Sequence, residues 1–213
     1  MWEWLSDRLL HDGILVRALT DPDERALKDV ASALDVVKRV DPRTYRLAAR
    51  LLEGGVVVAP PREATGWYDV RRKACILNYD YVTTASYEDM ALTIVHETCH
   101  ARLMNCGIGY EEALRFRVEQ VCQRRELAFA RLLVAQDPEG FDYVSYMRKR
   151  IDSLSPDTLS NDDFRQSNRR SKLRELRHLK ALGAPRFIRR WAVLMIRRRR
   201  QRDQRRAKLG RSA

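Results

Sequence analysis

The chain has 213 residues, 45% hydrophobic and 33% charged, with a formal net charge of +12. That length predicts one compact domain with extensions. Its four cysteines form no Cys-x-x-Cys pair, which argues against a disulfide framework or thiolate ribbon and for buried thiols in a reducing, cytoplasmic setting.

From the start, Met1-Trp2-Glu3-Trp4-Leu5 is amphipathic and lacks the basic start and long apolar core of a signal peptide. Residues 24–52 follow a helical period through Leu27, Val30, Ala31, Leu34 and Val37. Beyond Asp41-Pro42 the period continues through Tyr45, Leu47, Ala48 and Leu51, and Gly54-Gly55 ends it. Residues 1–55 are therefore expected to be a helical region packed on the core. Short strands follow: Val56 to Ala59, stopped by Pro60-Pro61, and a hairpin pairing Gly66 to Val70 with Ala74 to Asn78.

The most informative stretch is His96-Glu97-Thr98-Cys99-His100. On a helix, two imidazoles four residues apart point to one place, where neutral rings can hold a zinc ion. The intervening carboxylate then lies where it can take a proton from water on that ion. Flanking residues predict the helix. Ser86 is a candidate N-cap, Glu88 and Asp89 lie in the first turn, and Met90, Ala91, Ile94, Val95, Ala101 and Met104 recur at helical spacing up to about Asn105. The plainer reading is a salt-bridged helix face with Glu97 as a solvated acid.

A catalytic zinc needs a third protein ligand. His11 and His178 lie in the terminal regions, whereas a second helical pattern over residues 111–136 carries Glu119 and Glu126 seven residues apart on one face. Either could return to meet the histidines. A sharper alternative uses Cys99 or Cys122, the latter one turn after Glu119.

Two histidines in His-Glu-x-x-His with a glutamate about twenty residues later resemble the gluzincin branch of the zinc metallopeptidases; here Glu119 follows His100 by 19 residues. The run from Glu126 to Leu133 is also similar to the segment after the third ligand in small bacterial gluzincin-like (minigluzincin) domains. The resemblance implies an α+β zincin-like core over residues 56–136, with a small mixed sheet, an active helix and a ligand helix. It implies His96, His100 and Glu119 as ligands to Zn2+, Glu97 as general base, and Glu126 as a supporting or alternative ligand. It further implies a peptide substrate held along an edge strand. Tyr110, near the ligands in sequence, is a candidate for stabilising an oxyanion.

Beyond a linker with a short helix over 137–163, composition changes. Residues 164–213 hold 19 of the 41 basic residues and two of the 29 acidic ones, Glu175 and Asp203. Two basic helical stretches, 171–182 and 186–201, are separated by Gly183-Ala184-Pro185. The apolar run Trp191 to Ile196 is far short of the roughly 20 residues that span a bilayer, so no transmembrane segment is expected. The tail is a solvated extension or an electrostatic contact with nucleic acid or an acidic membrane surface. The rival to the hydrolase is a non-enzymatic, nucleic-acid-associated or partner-binding protein acting through this tail.

Overall fold

A computed structural model describes residues 8–19, 24–60, 63–156, 159–160 and 180. The predicted tail helices lie outside these residues. The described chain is α+β. One five-stranded mixed sheet has the order β1-β2-β3-β5-β4, built from β1 (Arg8–His11), β2 (Ile14–Ala18), β3 (Val56–Ala59), β4 (Gly66–Asp69) and β5 (Ala74–Asn78). β2, β3 and β5 run parallel; β1 and β4 are antiparallel outer strands.

The segment read as a helical N-terminal region therefore begins with two strands. Leu9-Leu10 and Ile14-Leu15-Val16 are too short a pattern for periodicity to settle. What defines them is the tight turn between, where Asp12 and Gly13 both take positive φ (45° and 87°). The other expected strands form, the Gly66 strand ending at Asp69, where Val70 opens the turn.

Parallel strands buried on both faces read as continuous apolar runs, and Val56 to Ala59 is such a run. Val56, Val58, Cys75 and Leu77 face the helices, while Val57, Ala59, Ala74 and Ile76 pack with Trp67 on the other face. On the helical side lie α1 (Glu24–Val40) and α2 (Pro42–Leu51), so the helical period read over residues 24–52 is divided at Asp41-Pro42. Asp41 caps α2 by accepting from the Thr44 amide at 3.1 Å. After the single-turn α3 (Tyr79–Val82) comes α4 (Tyr87–Asn105), capped by Ser86 and buried among sheet and helices through Met90, Leu92, Ile94, Val95 and Ala101. α5 (Glu112–Gln136) packs along α4, and Arg125 on it reaches back to Asp41 and Thr44 of the α2 cap. α6 (Tyr143–Asp152) then lies against α5. No described helix is long and apolar enough to cross a membrane.

Gly55 joins the helical layer to β3 at φ +75°, and a Cβ there would stand 1.8 Å from the Leu15 carbonyl oxygen. Gly55→Ala should therefore lower stability by about 2–4 kcal/mol, through both strain and backbone collision. Thermal melts of the full chain check this; an unchanged Tm would contradict the close approach of β2 and β3.

Candidate metal centre

The α4–α5 pair positions the site. His100 meets Glu119 and His96 meets Glu126, so a step back along α4 matches a step forward along α5: the two helices are antiparallel. Both histidines lie mid-helix, held by the buried residues on the opposite side of α4.

Three donor groups converge. The Nε2 atoms of His96 and His100 are 3.0 Å apart. Glu119 places Oε2 3.2 Å from His96 Nε2 and Oε1 3.3 Å from His100 Nε2. Two donors, each about 2.0–2.1 Å from a tetrahedral zinc, are separated by about 3.3 Å. The observed separations thus fit the edges of a tetrahedral cage, and two imidazoles plus one carboxylate are the donor set of a catalytic zinc with one position open.

Glu126 has a different place. The Nδ1–H of His96 donates to Glu126 Oε2 at 2.7 Å, which leaves the lone pair of a neutral ring on Nε2, facing the cage. Glu126 is 1% exposed and also accepts from Arg150 of α6 at 3.2 Å. Of the two glutamates left open by the sequence, Glu119 meets both Nε2 atoms and Glu126 orients one ring from behind.

Tyr110, in the loop before α5, donates its hydroxyl to Glu119 and packs edge-on against His100 at 5.3 Å. In this arrangement the phenol is engaged with the carboxylate. Cys122 offers its sulfur within 4.8 Å of both histidines. Contact with Cys99 and burial push the Cys122 thiol far up in the metal-free protein, and its sulfur stays an alternative third donor to Glu119. Cys99 is drawn down to about 7, chiefly by the hydrogen bond from Cys122. All four cysteines are free thiols. His11 hydrogen-bonds Asp35 at 2.9 Å in a different part of the fold, with the neighbouring Asp12 ion-paired to Lys38 at 2.5 Å.

Glu97 is 5% exposed, and burial pushes its carboxyl above the ordinary glutamate value against the pull of the two imidazoles. Burial also works against ionisation of Glu119, but hydrogen bonds from His100 and His96 more than offset it and hold that carboxyl far below the usual range. For His96, burial favours the neutral ring, yet Glu126 and Glu119 outweigh it and raise its pKa well above 6.5.

These shifts set an expected pH profile for the metal-free protein. The raised His96 contributes stability that is complete below about pH 6.5 and is lost as pH climbs through its folded-state value. The depressed Glu119 contributes stability present above about pH 4.5 and lost as pH falls. Metal-free protein should therefore melt highest on a plateau from about pH 5 to above pH 6.5, declining on both sides. A Tm independent of pH from 5 to 9 would contradict this coupling. Because zinc must displace the His96 proton, zinc affinity should rise with pH.

The sequence passed over Arg150. Its signal was the spacing of Tyr143, Tyr146 and Arg150 on α6, which puts all three on one helical face. No protein-family model matches the chain, and neither does any curated protein or solved structure.

Proposed function

We propose that this protein is a zinc-dependent hydrolase, most specifically a metallopeptidase of gluzincin type. The observation that carries the reading is the convergence of His96, His100 and Glu119 at donor separations of 3.0–3.3 Å, with Glu97 buried next to His96. His96, His100 and Glu119 would hold the ion, which supplies Lewis acidity and lowers the pKa of a bound water to about 7.

The chain's own residues do the rest. Glu97, with its carboxyl raised above the ordinary glutamate value by burial, is the base; it takes the proton from the attacking water and returns it to the leaving amine. Glu126 keeps the His96 ring in one tautomer, and Tyr110 orients Glu119. A peptide substrate is favoured because β4 is the terminal strand of the sheet and lies against α4: a Cβ on Gly66 would stand 2.7 Å from Thr93 Cγ2. An extended chain can add to such an edge beside the histidines.

The test is hydrolysis of a quenched-fluorescent peptide library by zinc-loaded protein. Cleavage that stops on chelation and returns with zinc is expected. Stable peptides under all metal loadings would contradict the reading.

A further inference from the structure

The two imidazoles have a second donor within reach on α5. Among the described residues, one ligand atom from each of His96, His100 and Cys122 lies within 4.8 Å of the other two. Cys122 follows Glu119 by three residues, about 4.5 Å along the helix axis, so a single turn of α5 presents both a carboxylate and a sulfur to the same pair of rings. A sulfur that shares a tetrahedral ion with an imidazole stands about 3.5 Å from its nitrogen, which leaves the Cys122 sulfur at most about 1.3 Å to close. Rotation about its one χ1 angle is enough.

The two donors differ in softness and in setting. Glu119 offers hard oxygens and is held by the Tyr110 hydroxyl. Cys122 is fully buried in an apolar cluster with Cys99 and Val118, bordered by Leu103 and Tyr110. Carboxylate oxygen suits hard and borderline cations, whereas polarisable sulfur selects soft ones. A thiolate bound to a cation is largely neutralised, so burial away from water costs it little. Cys99 rests against Cys122 and shares a hydrogen bond with it, so once Cys122 gives up its proton the Cys99 S–H can donate to the bound sulfur.

We infer that this centre has a second coordination mode, in which a soft cation of the Cd2+ class is held by His96, His100 and the Cys122 sulfur, while zinc takes Glu119. The Cys122 S–H bond breaks as the sulfur–metal bond forms; the electron pair stays on sulfur and the proton passes to solvent. Both modes use the same histidines, so a soft cation and zinc exclude one another. The second mode rests on the histidine pair alone; that it switches hydrolysis off rests on the hydrolase reading.

The experiment titrates Cd2+ into the full, metal-free chain carrying Cys106→Ser, because Cys106 is an exposed thiol that would take a soft cation by itself. Sulfur-to-cadmium charge-transfer absorption in the ultraviolet reports the sulfur, and chelator competition reports affinity for both ions. One equivalent per chain should saturate the band. Cys122→Ser should remove the band and weaken cadmium binding beyond the about 10–100-fold typical of a supporting residue, while zinc binding stays close to the parent's. Glu119→Gln should do the reverse, weakening zinc and keeping the cadmium band. His100→Ala should weaken both ions, and Cys99→Ser should keep the band. Retained zinc binding and an unchanged melt show that Cys122→Ser is folded; Cys122→Ala repeats the test without a buried hydroxyl. A missing band in the parent, a band that survives both Cys122 substitutions, or cadmium binding indifferent to His100→Ala overturns the second mode. Equal loss of zinc and cadmium in folded Cys122→Ser overturns it as well. Zinc-dependent peptide cleavage with no cadmium band overturns this mode and leaves the hydrolase intact, whereas the band without cleavage of any peptide supports it and fails the peptidase reading instead.

Discussion

Glu97→Gln is expected to lower kcat for peptide hydrolysis by a factor of about 10²–10⁴, the usual contribution of a positioned general base. Zinc content should not change, because the proposed cage is His96, His100 and Glu119 and does not include Glu97. Nor should stability fall. Burial already raises the Glu97 carboxyl, so its ionised form is disfavoured in the fold, and a neutral amide of nearly the same shape removes that cost. The combination is diagnostic: activity lost, metal kept, Tm equal or higher. Steady-state kinetics, metal analysis and a melt on one preparation measure all three. Retained activity would take the proton-transfer role away from Glu97.

Glu119 and Glu126 should separate cleanly when each is replaced by glutamine. Glu126→Gln keeps a hydrogen-bond acceptor for His96 Nδ1 but loses the charge that orients and polarises the ring, so zinc affinity should drop about 10–100-fold. Glu119→Gln removes the proposed third ligand, and affinity should fall further still, to the level of His100→Ala. Competition with a chromogenic chelator reads both. If Glu126→Gln proves the more damaging of the two, their roles are exchanged. A second readout distinguishes them: Glu126 is also tied to Arg150, so its replacement should loosen α6 against α5, whereas replacement of Glu119 should not.

The sequence carried the local parts of this molecule well because those parts follow from short-range rules. Ser86 as N-cap and the end of α4 near Asn105 before Gly107 both follow from capping geometry. The His96 and His100 pairing follows from helical spacing alone. What needed three dimensions was the register between α4 and α5. Glu119 and Glu126 share a face of α5, so sequence could not say which would meet Nε2 and which Nδ1; the loop of residues 106–111 sets that offset. β1 and β2 were obscured because four- and five-residue strands are too short for a clear period, and their place in the sheet rests on pairing with Val56 to Val58, far along the chain. Arg150 was hidden for a similar reason, since its meaning depends on a carboxylate 24 residues earlier.

Anomalous diffraction at the zinc absorption edge, from crystals of the full chain, tests the central claim most directly. One peak per chain is expected, about 2.0–2.2 Å from His96 Nε2, His100 Nε2 and a Glu119 oxygen, with Glu126 outside the coordination sphere. No peak between the histidines after zinc soaking, or a peak bonded to Cys122 in place of Glu119, would contradict it.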